Sequence, residues 1–384
     1  MTILHLSASY SFTDLYKNLL EVLDNQKVKQ IMYVALKNSK DANKRMIANP
    51  LDTAYIYSTP FTRIDSYIYY TKINKILKDI EQKVNLKEID LLHAHFMFSD
   101  GGVAYQIKKK YGIDYIVAIR NTDINLFYKY GIHVRHYGTK ILKSAKKIIF
   151  LSPAYKEALL ENYVPAKLMD EIRRKSVIIP NGIDDFWIKD PGREETNKVN
   201  QYSISFIFVG ELSENKNILA TLKVIELLQQ FNYNVRLSVV GTGPLFAEVE
   251  AWINKTNNEL NVILHGYISD KRKLRNLYNE SDIFIMPSHK ETFGLVYIEA
   301  MSQGLPVIYS KGQGIDGYYM NGDIGYSVNP DDPLEIVESI LAIKKDYKAI
   351  SERAIKESAQ FTWDKIAAKY IEIYAEENDP LGIN

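Results

Sequence analysis

Short runs rich in Val, Ile, Leu and Phe recur along this chain, each followed by a stretch of helix length, and the pattern plays out twice. In the first half the runs are TILHLSA, KQIMYVAL, DLLHAH, DYIVAI, KKIIFLS and SVIIP, with helices predicted over 14–25, 63–85, 100–111, 135–146 and 153–163. In the second they are SISFIFVG, VRLSVVG, NVILHG, IFIMPS and PVIYS, with helices predicted over 216–231, 244–257, 270–280 and 333–345 and one opening near Phe293 or Gly294. Strands that alternate with helices form βαβ units and a parallel sheet. Nearly continuous apolar runs belong to strands covered on both faces. The turn-rich stretch KDPGREETNKVNQY, 189–202, reads as a linker. The expected fold is α/β, with two Rossmann-like doubly wound parallel-sheet domains, 1–195 and 203–362, facing across a cleft. Ligands of such sheets bind outside the carboxyl ends of the strands, so the cleft is the default site. In the tail, Trp363, Ile366, Ala367, Tyr370, Ile371 and Tyr374 make one face of a helix over 363–378. That face either returns to the first domain or packs within its own.

A chain of 384 residues is too long for one ordinary core, which agrees with two domains. Apolar and charged fractions of 46% and 25% are those of a soluble globular protein. No run approaches the ~20 apolar residues of a membrane span. The opening MTILHLSASYSF lacks the basic start and apolar stretch of a signal peptide. With no cysteine, disulfides, thiolate metal sites and a cysteine nucleophile are excluded, and a cytoplasmic location fits. Charge is uneven. Residues 1–195 hold 30 Lys and Arg against 22 Asp and Glu, a net +8, and the remainder is −7. Either the first half meets an anionic partner or surface, or solvated faces carry a chance bias.

The segment SHKETFGLVYIEAMSQGLPVIYS, 288–310, places Glu291 in the loop after a strand and Glu299 inside the following helix. The first N–H groups of that helix have no intrahelical acceptor and favour an anion such as a diphosphate. Gly294 lets the backbone approach a ligand closely. A carboxylate is acceptor-only, so Glu299 suits two neighbouring hydroxyls such as those of a ribose. Glu291 then lies near the group beyond the phosphates. The plainer alternative makes Glu291 a partner of the helix N-terminus and Glu299 a solvated acid.

The stretch ETFGLVYIEAMSQGLPVI resembles the E-x7-E region of the family 4 retaining glycosyltransferases (group 1 glycosyl transferases) of the two-Rossmann-domain, GT-B architecture. So do IPNGID (Ile179–Asp184) and VGELSENKN (Val209–Asn217), while HAHFMFSDGGVA (His93–Ala104) and IRNTDIN (Ile119–Asn125) are similar to that family's acceptor-side loops. The resemblance runs over about 1–375 and is most specific in the second half. It implies a nucleotide-diphosphate-sugar donor held mainly by the second half. It assigns Glu299 to the donor ribose, Glu291 to the donor sugar and Lys216 to the diphosphate. The turn of Thr292, Phe293, Gly294 and Leu295 then reaches sugar and phosphates, with Gly210 in the preceding loop. The loops at Gly241–Pro244 and His265–Ile268 are placed to frame the base; Gly241 and Gly243 also read as ordinary turn glycines. A cation and a helix N-terminus are suitable stabilisers of a leaving diphosphate.

The sequence departs from the family pattern at two places. Glu211 stands where arginine is common, and Arg120 where histidine is common, followed by Asn121, Thr122 and Asp123. Two readings are open for each. Glu211 points into the phosphate site or turns away to pair with a basic side chain. Arg120 supplies the second positive charge or pairs with Asp123 or another acid. Tyr10, Ser11 and Thr13 occupy a loop that carries a glycine pair in many members, which puts Tyr10 and His95 on the acceptor side with Asn121. His93 and His95 alternate on a strand and are expected to frame the cleft mouth rather than bind metal. No obligatory metal or other cofactor is expected, since helix dipole and lysine do a cation's work. Lys108–Lys110, Arg173–Lys175 and a helix face of Lys140, Lys143 and Lys147 are candidates for contact with an anionic membrane, the alternative being solvated faces. No aromatic-rich basic groove for nucleic acid is seen. The expected activity is transfer of a hexose, from a UDP-sugar foremost, to a glycan or lipid-diphosphate-linked acceptor of bacterial surface polysaccharide. The rivals are an epimerase or phosphorylase on the same fold and a non-catalytic binding partner.

Overall fold

The structure, a computed structural model, describes residues 1–189, 202–255 and 261–376. Most of the expected linker, 190–201, and the last residues of the helices expected over 244–257 and 363–378 lie outside the described residues. The chain forms two compact units, one of Met1–Leu151, Lys156–Gly182 and Trp363–Asn384, the other of Ser152–Tyr155 and Ile183–Thr362.

The first unit runs β1 (Thr2–Leu6), α1 (Asp14–Asn25), β2 (Lys29–Ala35), β3 (Thr53–Ser58), α2 (Tyr69–Lys83), β4 (Leu91–Ala94), α3 (Ser99–Tyr111), β5 (Asp114–Ala118), α4 (Ile132–Ser144), β6 (Lys147–Phe150), α5 (Pro153–Tyr163), α6 (Ala166–Lys175) and β7 (Ser176–Ile178). Its parallel sheet has seven strands in the order β3-β2-β1-β4-β5-β6-β7. The second runs α7 (Asp185–Ile188), β8 (Ser203–Val209), α8 (Ile218–Gln230), β9 (Asn234–Val240), α9 (Phe246–Lys255), β10 (Val262–Gly266), α10 (Lys271–Asn279), β11 (Ile283–Ile285), α11 (Leu295–Ser302), β12 (Val307–Ser310), β13 (Gly325–Val328), α12 (Pro333–Lys345) and α13 (Tyr347–Ser358). Its six parallel strands follow the order β10-β9-β8-β11-β12-β13. Both are doubly wound, the expected class, and strand order reverses between β1 and β4 and again between β8 and β11. The chain returns to the first unit as α14 (Trp363–Glu376). Its Trp363, Ile366, Tyr370 and Tyr374 pack with Ile3, Leu19, Leu23 and Leu91. Tyr374 also hydrogen-bonds buried His93 at 2.7 Å.

Local chemistry sets the helix ends. Thr13 caps α1 by accepting from the Leu15 N–H, and Asp332 caps α12 by accepting from Leu334 and Glu335, with Pro333 at the first helical position. Gly112, at φ +78°, ends α3 behind three lysines that complement its dipole.

The expected membrane face needs correction. α4 stops at Ser144, so Lys147 sits on β6 and does not share a helix face with Lys140 and Lys143. Lys147 pairs with Glu376 at 2.9 Å, Lys108 with Asp114 at 2.7 Å, Lys110 with Glu81 at 2.8 Å, Arg173 with Glu157 at 2.7 Å and Lys175 with Glu171 at 2.8 Å. Most of these cations already face acids. The helix expected from 63 starts at Tyr69, because Asp65 holds a turn by accepting from the Thr62 N–H and hydroxyl.

Candidate active site

In the second unit the loops after β8 and β9 lie against each other. A Cβ on Gly241, at φ +142°, would fall 1.8 Å from the Gly210 carbonyl oxygen, and one on Gly243 would fall 2.5 Å from that of Leu212. Both glycines are therefore demanded by the close approach of two strand-end loops. Beyond Gly210 a single turn, Glu214–Lys216, leads into α8. It is tied to the loop after β11: Asn215 donates its side-chain amide to the Lys290 carbonyl at 3.0 Å, and the His289 N–H donates to the Asn215 carbonyl at 2.9 Å.

That clasp brings Lys216 and Glu291 together, 75 residues apart in sequence, as a direct ion pair with both side chains largely covered. Glu291 is fixed through its backbone, donating to Gln313 Oε1 at 3.1 Å and accepting from the Gly314 N–H at 2.8 Å. Its carboxylate also accepts from the Thr292 N–H at 3.1 Å. Gly294, at φ +80°, starts α11, where a Cβ would lie 2.4 Å from the Tyr297 ring. Phe293 is buried against Phe361 and Tyr318, so its side chain anchors the turn and only its backbone is left for a ligand. Leu295 is the first residue of α11. The turn and the N-terminus of α11 thus stand at the end of β11, beside the strand-order reversal.

Glu299, on α11, is half-buried, with the Tyr278 phenol, Lys271 and Asp184 acting on it. Burial pushes its carboxyl up to about 7, Lys271 opposes that shift and Asp184 adds to it. Lys271 is itself paired with Asp184 at 2.5 Å. Ile268 lies just past the end of β10, half-buried. Glu211 is exposed and makes no ion pair among the described residues, so the expected pairing with a basic side chain is not found.

The first unit treats its expected residues differently. Tyr10, placed on the acceptor side by the sequence, is fully buried, its hydroxyl bonded to the Arg45 carbonyl at 3.0 Å and next to Tyr55 at 3.1 Å. His93 and His95 do not frame a cleft mouth. Both are fully buried with His5, and the ring nitrogens of His5 and His95 lie 3.1 Å apart. The three could converge on a metal ion. Burial holds all three well below the usual histidine range, and the charged group acting on His93 and His95 is the Arg120 guanidinium, which disfavours a cation. Asp123 is fully buried and accepts from the backbone N–H groups of Met97, Phe98 and Arg120 at 3.1, 3.0 and 2.9 Å. It clamps the loops after β4 and β5, and burial pushes it up to about 6. Of the two readings of Arg120, the side-chain pair with Asp123 is not found: Arg120 offers Asp123 its backbone N–H, donates its Nε–H to the His95 carbonyl at 3.2 Å and holds its guanidinium 5.7 Å from the centre of the Tyr16 ring. Asn121 is exposed and accepts from Asn125.

Sequence reasoning missed Tyr278, Lys271 and Gln313, because each comes from another element and carries no local signal. It also missed His5, whose place opposite His93 follows from the β1–β4 register.

Comparison with known proteins agrees with this arrangement. Residues 17–185 match the Glycosyltransferase Family 4 model and residues 192–361 the Glycosyl transferases group 1 model. An uncharacterised glycosyltransferase of Methanocaldococcus jannaschii is 26% identical over 316 residues, 81% of each chain. A capsular polysaccharide biosynthesis glycosyltransferase of Staphylococcus aureus is 27% identical over 182 residues, 42% of this chain and 44% of that one. Among solved structures, the Anabaena protein HepE in complex with UDP and glucose superposes with a TM-score of 0.67 at 17% identity, covering 98% of this chain and 100% of that one. Matched in order by the two models over most of its length, the chain belongs to the group 1, family 4-type glycosyltransferases of the GT-B fold.

Proposed function

We propose that the protein is a retaining, metal-independent hexosyltransferase that uses a nucleotide-diphosphate sugar, UDP-linked foremost. It passes the sugar to a glycan or lipid-diphosphate-linked acceptor in bacterial surface polysaccharide assembly. The observation that carries this reading is the Lys216–Glu291 pair beside the N-terminus of α11, with Glu299 on the same helix. An incoming diphosphate replaces Glu291 as the partner of Lys216 and takes the unpaired N–H groups of the helix. Glu299 accepts from the ribose hydroxyls. As the glycosidic C–O bond breaks, charge grows on the leaving phosphate, where lysine and helix N-terminus stabilise it. That phosphate takes the acceptor's proton on the same face of the sugar, so no carboxylate becomes a covalent nucleophile, unlike in retaining hydrolases. The relatives in capsule synthesis and the UDP-bound neighbour support the donor and setting. No described helix is long and apolar enough to cross a membrane, and we place the protein in the cytoplasm, at the inner membrane face.

Calorimetry with UDP and other nucleotide diphosphates, followed by slow-hydrolysis assays on a panel of nucleotide sugars, tests the reading. UDP binding with hydrolysis of one UDP-sugar is the expected result. Binding without any turnover turns the reading into that of a non-catalytic partner, which the exposed Glu211 favours. Turnover of a nucleotide sugar into its epimer points to an epimerase instead.

A further inference from the structure

The first unit holds a cavity of about 590 Å³ that the assigned residues leave unused. Its floor is largely apolar: Ile73 and Val134 are buried, and Tyr69 donates its hydroxyl to the Phe98 carbonyl at 2.7 Å. Lys37, Arg63 and Lys72 line it, and no carboxylate does. None of these three cations has an ion-pair partner among the described residues, whereas Lys108, Lys110, Arg173 and Lys175 elsewhere in this unit are paired. Lys72 is sunk into the wall with its ammonium 5.0 Å from the centre of the Phe61 ring. Burial pulls its pKa down, the charge of Lys37 adds to that and buried Asp100 opposes it. Cations held close together without a direct ion-pair partner are a site for an anion. Lys and Arg donate charge-assisted hydrogen bonds to phosphate oxygens.

The rim has the opposite character. Seven of the 18 large apolar side chains exposed on the described residues fall within 64–70 and 126–132, the two segments that border this cavity. Tyr67 is 80% exposed, Ile64 74% and Ile132 70%. Such a concentration marks an interaction surface. Cations inside and aliphatic and aromatic groups around them match an amphiphile with an anionic head. An uncharged glycan would leave the cations without partners. A bilayer surface alone would meet the rim and miss the sunken Lys72.

We propose that this cavity holds the phosphate or diphosphate of an aliphatic-chain lipid, with the head against Lys37, Arg63 and Lys72 and the chain along Leu126, Tyr130 and Tyr67. Resting on the transferase reading, this is where the lipid anchor of the acceptor docks.

The test is calorimetry on the full chain with dodecyl phosphate kept below its critical micelle concentration. Inorganic phosphate, dodecyl maltoside, phosphatidylglycerol vesicles and UDP are titrated separately. Dodecyl phosphate is expected to bind at least tenfold tighter than inorganic phosphate or dodecyl maltoside. Arg63→Ala combined with Lys72→Met, and separately Leu126→Asp, should each weaken it at least tenfold, with the unfolding temperature and UDP affinity unchanged. Arg63 and Leu126 are exposed, so Arg63→Ala and Leu126→Asp serve if Lys72→Met proves unstable. Equal affinity for inorganic phosphate overturns the proposal in favour of a simple anion site. Vesicle binding that dodecyl phosphate does not displace overturns it in favour of a membrane surface. Wild-type dodecyl phosphate affinity in the variants overturns it outright. Loss of UDP binding by the wild-type protein is a separate result. It defeats the transferase reading and leaves the lipid phosphate measurement to stand by itself.

Discussion

After β4 and β5, in the first unit, His95 and Asp123 turn inward and are fully buried. After β8 and β11, in a sheet of the same leading strand order, Lys216 and Glu291 stay partly open and answer each other across the strand-order reversal. Topology thus delivers polar residues to the same edge of both sheets. What differs is the layer behind. In the first unit α14 and α1 press Tyr370, Tyr374 and Tyr16 onto the histidines, and the Asp123 carboxylate spends its capacity on three backbone N–H groups. In the second, glycines at 210, 241, 243 and 294 keep the edge low and leave charged groups facing outward. A polar residue at a strand end is a ligand contact only where nothing is stacked over it.

Substitutions at these strand ends should then damage function in the second unit and stability in the first. The largest effect is expected at Lys216. Lys216→Ala removes the cation of the leaving-group site and should lower turnover roughly a hundredfold or more while the protein unfolds near its normal temperature. Steady-state rates on the identified nucleotide sugar check this, and wild-type turnover would remove Lys216 from the chemistry. Glu299→Ala should weaken UDP binding by ~1–3 kcal/mol, since the ribose hydroxyls lose their acceptor. Calorimetry that shows unchanged affinity would take the ribose away from Glu299.

Asp123→Asn should leave UDP affinity alone and cost ~1–3 kcal/mol of stability, because an amide cannot accept from three N–H groups as a carboxylate does. Urea unfolding measures it. The pH dependence carries a sign. The folded-state pKa of Asp123, about 6, lies above its ordinary 3.8, so its contribution is greatest below 3.8 and falls as pH rises through about 6. The Asn variant should lack that slope. Glu299 sharpens the contrast through binding. With its carboxyl near 7 and only the ionised form able to take two hydroxyls, UDP affinity should rise about tenfold from pH 6 to 8. Glu299→Gln should flatten the curve. The smallest effect is expected from a chelator: turnover in excess EDTA should match the untreated rate, and recovery by magnesium or manganese after a loss would disprove the lysine-and-helix account.

Much of the fold was legible because buried parallel strands are apolar throughout. α1 and α12 fall at their predicted bounds, marked by Thr13, Asp332 and Pro333. β3 and β13 were not foreseen. Both are edge strands, and TAYIYS and GYSV mix polar and apolar residues as a half-covered edge allows. α6 and α13 were missed because AKLMDEIRRK and YKAISERAIKES are mostly polar. Within the site, Glu291, Gly294 and Glu299 could be read from one continuous segment. The Lys216–Glu291 pair, the clasp through Asn215 and the approach of Tyr278 to Glu299 depend on where separate loops end in space. No spacing in the sequence encodes them.

The return of the chain to its first unit has a consequence for synthesis. The second unit is an insertion: the chain leaves at Gly182 and re-enters at Trp363. A nascent chain exposes every strand of the first sheet before the helix that seals Leu19, Leu23 and Leu91 has been translated. At ~5–20 residues per second, the intervening ~180 residues take roughly 10–35 s to emerge, time in which the inserted unit folds while its host stays open. The first sheet therefore closes last, although it is made first. A ribosome stalled within α14 releases a chain whose later half is native and whose earlier half presents an uncovered apolar face to chaperones and proteases.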